Sequence, residues 1–297
     1  MQIQTAEFEG PTWALIVAVY GGWIGATWYG AALPWWLLLL AGGWFTGWYY
    51  SLQHEVIHGH PTAWPRFNDL IGYAPLGLFI PYDVYRADHM RHHTKENLTI
   101  PGVDPESYYF DTRTWDEMAS PLKVMNIINN ALIGRLTVGV GITILLFWWR
   151  EGRRLVRGDL SHLGAWIRHA VLVAAVLYWV AIVCGLPIWL YVLTFAYPGL
   201  ALTMMRSYCE HLAADNPDHR TAIVESPTPL GLLYLNNNLH IAHHDQPGMP
   251  WYKLPAYYQK KKADFLSENN DLIFQGYSGV IRQYLFAPID TPVLPEQ

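Results

Sequence analysis

The sequence predicts an all-α integral membrane protein: four transmembrane helices in two hairpins, with a cytoplasmic His-rich helical domain and an interfacial helix. Three observations lead there. Of the 297 residues, 52% are apolar and 15% aromatic but only 14% charged, against roughly 25% charged in an ordinary soluble domain. The uncharged residues gather in two long runs, yet the mean hydropathy of +0.09 is too low for spans alone, so apolar blocks must alternate with a water-facing part. Finally, the chain has 13 histidines, and nearly all lie outside those runs.

The first run covers residues 10–53, 44 positions without Asp, Glu, Lys, Arg or His. A span needs about 20 residues, so the run holds two, at about 11–31 and 35–53, turning at Ala32-Leu33-Pro34. No Lys or Arg precedes it and it outruns a signal h-region, so it reads as spans and not as a cleaved signal peptide. The second run, residues 170–205, is 36 residues long with Gly185-Leu186-Pro187 at its centre. It predicts a second hairpin, 163–184 and 187–206, whose first helix carries Arg168 and His169 in its opening turns, where Arg can snorkel.

Residues 132–149 are apolar apart from Arg135. As a fifth span they would put Arg150, Arg153, Arg154 and Arg157 opposite Arg66, Arg86, Arg91, Lys95, Arg113 and Lys123, whereas positive charge collects on the cytoplasmic side. The stretch therefore reads as a helix in or dipping into the cytoplasmic interface. One domain over 1–297 results, with both termini and segments 54–162 and 207–297 cytoplasmic. Residues 288–297, with three prolines, read as a loose tail. Trp and Tyr, 15 and 19 in number, fit interfacial belts. Net charge is −5 and no basic stripe appears, so no nucleic-acid partner is expected. Cys184 and Cys209 have neither metal nor redox spacing and read as buried small hydrophobes.

Three histidine clusters fall on the predicted cytoplasmic side: His54-Glu-Val-Ile-His58, His89-Met-Arg-His92-His93 and His240-Ile-Ala-His243-His244. Helical residues three and four apart share a face, whereas adjacent ones diverge by about 100 degrees. A His-x-x-His-His cluster can thus hold one metal with its first and last members and send the middle one to a second metal, or the reverse. With His211 the count is nine imidazoles, more than one ion can use. Nine imidazoles without a cysteine fit two borderline metals, iron where open positions serve dioxygen. His54-Glu55-x-x-His58 also matches the zinc-protease signature with Glu as general base, but a protease would leave six of the other histidines without work. A metal transporter is a further alternative, disfavoured because the span cores lack the His and acidic residues of an ion path.

The layout resembles the membrane fatty acid desaturase and hydroxylase superfamily over roughly residues 11–260: two hairpins, a His box after the second span, a His-x-x-His-His box in the following loop and a last one near the C-terminus. Arg86-Ala-Asp-His-Met-Arg-His-His with Leu98-Thr-Ile-Pro-Gly-Val-Asp-Pro-Glu-Ser-Tyr-Tyr109, and Asn236-Asn-Asn-Leu-His-Ile-Ala-His-His with Pro250-Trp-Tyr-Lys-Leu-Pro255, look like a bacterial group that includes dihydrorhizobitoxine desaturase-like proteins. The three-residue gap between His54 and His58 departs from many acyl-lipid desaturases and is common in carotenoid ketolases and other bacterial members, and a carotenoid ketolase or hydroxylase of the superfamily stands as an alternative. No His-Pro-Gly-Gly haem motif of a fused cytochrome b5 appears.

The resemblance implies an O2-dependent enzyme with two iron ions, acting on unactivated C–H bonds of a lipid acyl chain or a small amphiphile. It further implies a separate electron donor such as ferredoxin with a reductase, and a bacterial inner-membrane location. The expected metal ligands are His54, His58, His89, His92, His93, His211, His240, His243 and His244. Glu55, Asp88, Glu210, Asn238 and Asp245, each beside a ligand, are expected to orient imidazoles. His60 reads as a tenth ligand, a substrate contact or a satisfied polar group. His162 reads as an interface residue, His169 and His219 as structural, with His219 alternatively in a polar substrate site. Asp104, Glu106 and Arg113 make their loop polar, and Lys260-Lys-Lys262 reads as a solvated face or a donor or lipid contact.

Overall fold

The computed structural model describes residues 8–226 and 229–294. Helix α1 (Gly10–Trp28) has Pro11 in its first turn, where a missing N–H costs nothing. Leu33 and Pro34 are extended and end the turn before α2 (Trp35–Ile57). Both helices are uncharged as far as His54 but take much of their bulk from Trp, Tyr and Gly. Then come α3 (Pro65–Gly72), α4 (Tyr82–His92), α5 (Thr112–Glu117), α6 (Ser120–Asn129), α7 (Leu132–Leu136) and α8 (Val138–Val156). Among the described residues, helices α9 (Leu163–Val183) and α10 (Ile188–Ser207) are the two that are long and apolar enough to cross a membrane by length and composition. Each contains a π-helical turn, Trp179–Val183 and Val192–Ala196. Gly185, at φ +65°, makes the turn between them, a conformation that a side chain would resist.

The apolar core is shared by α1, α2, α9 and α10, with Val19, Leu38, Leu52, Val180, Tyr191 and Phe195 fully enclosed. Helices α2 and α10 cross on small residues. A Cβ on Gly42 would lie 2.5 Å from the Thr194 carbonyl oxygen, and one on Gly199 would lie 2.5 Å from Thr46. Such close approach is how helices pack where lipid removes the hydrophobic drive. Tyr191 Oη accepts from Trp23 Nε1 at 2.9 Å and donates to the Leu76 carbonyl at 2.6 Å, pinning α10 to α1 and to the loop before α4.

The stretch expected as one interfacial helix breaks at Thr137 (φ −114°, ψ −90°) into α7 and α8, and α8 runs on to Val156 through Arg150, Arg153 and Arg154. Arg135 is buried with its guanidinium 3.7 Å from the Tyr108 ring centre, which is how a cation fits an otherwise apolar run. Leu145, Leu146 and Trp149 of α8 are exposed. Arg150 reaches Asp88 of α4 at 2.5 Å, and Trp148 Nε1 donates to the Phe79 carbonyl at 2.8 Å.

The C-terminal part holds α11 (Pro229–Leu233), α12 (His240–Asp245), α13 (Leu254–Glu268) and α14 (Gly276–Tyr284). Strand β1 (Ile223–Val224) pairs in parallel with β2 (Ile273–Phe274), Ile223 opposite Ile273. The expected loose tail is tied down over its described part. Phe110 N–H donates to Pro292 O at 2.9 Å, Leu294 N–H donates to Phe110 O at 3.0 Å, and Ile289 N–H donates to Asn130 O at 3.0 Å.

Candidate metal centre

Helix α2 runs without a break from its apolar stretch through His54, and His58 caps its end. Helix α4 carries His89 and His92, with His93 as its cap residue. Helix α12 carries His240, His243 and His244. His211 lies just after α10, held by a β-bridge to Thr221. These pieces bring nine imidazoles together in two groups. His54, His58, His89, His93 and His243 form one, and His92, His211, His240 and His244 the other, the donor atoms of each group lying within 4.8 Å of one another. In both His-x-x-His-His clusters the first and last members go to one group and the middle member to the other.

The ring nitrogens face one another closely. His89 Nε2 is 3.0 Å from both His58 Nε2 and His93 Nε2, and His93 Nε2 is 3.2 Å from His243 Nε2. In the second group His211 Nε2 is 3.0 Å from His92 Nε2 and 2.9 Å from His240 Nε2, and His244 Nε2 is 3.1 Å from His240 Nε2. Adjacent donors at about 2.1 Å from one octahedral ion are separated by about 3.0 Å, so the spacing suits a shared cation.

On four of the nine rings the opposite nitrogen is occupied. His89 Nδ1 is 2.9 Å from Glu106 Oε1 and His92 Nδ1 is 2.9 Å from Asp104 Oδ1. His240 Nδ1 is 3.2 Å from both Asn237 Oδ1 and Glu210 Oε1, and His211 Nδ1 is 3.3 Å from the Arg220 carbonyl. When these four rings donate Nδ1–H outward, their Nε2 lone pairs are left facing the other rings of their groups. That arrangement is repulsive without a cation between them and favourable with one.

Burial pushes His211, His240, His243 and His244 well below the ordinary imidazole range, and neighbouring imidazoles add to the effect. Burial, with His89 and His92, lowers His93 to about 3. Burial also opposes charge on His92, but the Glu106 and Asp104 carboxylates outweigh it and raise His92 to about 9. The site thus presents mostly neutral, ligand-ready rings beside carboxylates placed to compensate positive charge.

Of the residues expected to orient imidazoles, Glu210 reaches one, and it also pairs with Arg206 Nε at 3.2 Å. The other four do not. Glu55 accepts the Trp251 backbone N–H at 2.9 Å and faces His60. Both oxygens of Asp88 are taken by Arg91 and Arg150. Asn238 donates to the Val224 carbonyl at 2.7 Å, and it is Asn237 that meets His240 and, at 3.4 Å, His54. Asp245 pairs with Lys261 at 3.3 Å and with Tyr257. Sequence reasoning took Asp104 and Glu106 only as loop polarity. Their signal was an Asp-Pro-Glu step shortly after the second His cluster. His60 lies outside both groups, 2.7 Å from Glu9. His219 contacts Asn216 at 3.3 Å, outside both groups.

Two sizeable cavities lie beside the centre. One of about 340 Å³ runs between α2, α4, α8 and α10, lined by Tyr85, Glu106, Leu146, Phe147, Leu200 and Met204 among others. The other, about 220 Å³ and more polar, opens over His93 and His244 and is bordered by Lys95, Asp218, Asp245 and Glu268.

The chain is similar to the chloroplastic omega-6 fatty acid desaturase of Spinacia oleracea, 26% identical over 254 residues that cover 76% of this chain and 54% of that one. The same enzymes of Brassica napus and Arabidopsis thaliana are each 24% identical, over 77% and 76% of this chain and 55% and 53% of theirs. The chain spans about half the length of these curated relatives. The family model for fatty acid desaturases matches residues 30–277, which take in all nine histidines of the two groups, and the chain belongs to the fatty acid desaturase family.

Proposed function

We propose that this protein is a membrane-bound, O2-dependent di-iron desaturase acting on an acyl chain, with His54, His58, His89, His93 and His243 holding one iron and His92, His211, His240 and His244 the other. The observation that carries the reading is the convergence of the two groups, each closed by Nε2 lone pairs with no cysteine. When bound, the iron pair supplies the dioxygen chemistry that withdraws hydrogen from an unactivated C–H bond, which no side chain here offers alone. Converting a CH2–CH2 unit and O2 to an alkene and two waters takes two electrons and two protons from outside. A separate donor such as ferredoxin with a reductase is therefore part of the proposal.

The chain's own residues supply placement. The 340 Å³ cavity leads past Leu200, Met204 and Phe147 to Glu106, which touches His89, so an acyl chain lying there presents a methylene to the centre. Asp104, Glu106 and Glu210 hold His92, His89 and His240 in one tautomer and orientation. The protease reading loses support because Glu55 faces Trp251 and His60, away from the ring pair that it would serve. Helices α1 and α2, 19 and 23 residues long, complete a four-span, two-hairpin arrangement with the centre on the cytoplasmic face of a bacterial inner membrane. The test is to compare the lipids of cells with and without the gene and with His89→Ala/His93→Ala. A new double bond that needs both histidines is expected; no lipid change, or full activity in the double variant, would sink the reading.

A further inference from the structure

Among the described residues one more group of metal-type donors stands apart from the nine imidazoles: Glu9, Glu55 and His60, with donor atoms within 4.8 Å of one another. Three distant pieces of chain supply it. Glu9 precedes the first turn of α1, Glu55 sits in the last turns of α2, and His60 follows Gly59, whose φ of +100° turns the chain back. The side chains are enclosed, 13%, 8% and 7% exposed respectively. No Lys or Arg among the described residues pairs with either carboxylate, and a buried pair of carboxylates calls for a positive charge beside it.

The imidazole is already poised. Glu9 Oε1 lies 2.7 Å from His60 Nδ1, and the other Glu9 oxygen accepts the Thr12 hydroxyl at 3.0 Å. In the neutral ring that donates Nδ1–H to Glu9, the lone pair is on Nε2. That nitrogen is fully buried and makes no hydrogen bond; the nearby Gly248 backbone does not reach hydrogen-bond geometry. Nε2 faces Glu55 Oε1 across 4.0 Å. The gap is too long for a hydrogen bond and suits two donors each about 2.1 Å from one ion. A carboxylate, an imidazole and then a gap before the next donor is the order in which a protein orients a ligating histidine.

We propose that His60 Nε2 and the Glu55 carboxylate hold a third, borderline divalent cation, with Glu9 fixing the ring. The mixed nitrogen and oxygen donors suit Fe2+ or Zn2+. This ion braces the start of α1, the end of α2 that carries His54 and His58, and the loop after α12, whose Trp251 N–H donates to Glu55 at 2.9 Å. It is independent of the reading of the two His groups.

The full-length protein is equilibrated anaerobically with Fe2+ alone, freed of unbound metal and assayed for metal per chain. The expected result is one equivalent more in the unmodified protein than in His60→Gln, a difference that persists on a His240→Ala/His244→Ala background. Failure of the nine-imidazole assignment would instead show as unchanged metal in the double variant. Equal metal in the unmodified protein and His60→Gln overturns the proposal. Glu9→Gln, which keeps both donors, serves should His60→Gln not fold: weakening of the third equivalent by roughly 10- to 100-fold supports the site, and unchanged affinity overturns it.

Discussion

Asp104 and Glu106 decide which nitrogen each of two central imidazoles presents. Asp104→Ala frees the His92 ring to turn and to change tautomer. Losing such a partner typically costs 10- to 100-fold in metal affinity, so an Fe2+ titration should show that loss, with Asp104→Asn intermediate; unchanged affinity would remove Asp104 from the site. The lowered His groups carry a pH prediction for the metal-free protein. His93, His211, His240, His243 and His244 stay neutral when folded but take up protons near pH 6.5 when unfolded. The unfolded state then binds more protons, so stability falls as pH drops below about 6.5. His92, raised to about 9, has the opposite sign: its stabilisation is complete below about 6.5 and is lost as pH rises through about 9. The lowered rings, His89 among them, outnumber His92 and the Glu210 carboxyl, which burial raises to about 7, and predict a thermal midpoint lower at pH 5.5 than at pH 7.5; a higher midpoint at pH 5.5 would show that burial does not hold these rings neutral. Eight of the nine ring positions were legible because helical spacing reports which side chains share a face, and His211 was legible only through the family resemblance. Of their partners only Glu210 was, because they were sought next to the ligands in sequence. A neighbour on a helix diverges by about 100 degrees, and the carboxylates that reach His92 and His89 come from 12 and 17 residues away.

The α2–α10 crossing depends on the absence of side chains. Gly42→Leu would drive a Cβ to 2.5 Å from a backbone oxygen and 2.7 Å from the Phe195 ring. Overpacking of this kind costs about 1–3 kcal/mol or more, so the unfolding midpoint in detergent should drop, whereas Gly21→Ala, with nothing within 4 Å, should leave it unchanged. Removing residues 288–297 should likewise lower the midpoint by taking away the backbone bonds to Phe110 and Asn130; an unchanged midpoint would mean that these bonds contribute nothing. The helices of the uncharged runs and their turns were legible from Pro34, Gly185 and Pro187. The tail was not, since prolines suggest looseness, yet a proline carbonyl accepts freely, as Pro292 does from Phe110. Nor was the break at Thr137, which follows from tertiary contact: Gly134 packs against the Ile128 carbonyl and Gly139 against Asn129.

At the scale of the whole molecule the two cavities divide the surroundings of the centre, an apolar one under α8 and a polar one over His93 and His244. Filling the first with Leu200→Trp should abolish or shift the double bond while metal content stays unchanged; unaltered product would mean that the substrate lies elsewhere. The way the clusters interleave has a further thermodynamic consequence. Helix α4 gives His89 and His93 to one group and His92 to the other, and α12 gives His240 and His244 to the second and His243 to the first. A first ion therefore orders both helices, and the ordering entropy need not be lost again for the second ion. On the proposed two-iron assignment the ions should load with positive cooperativity, so the binding isotherm should be steeper than for two independent sites, with half-loaded protein scarce at every iron concentration.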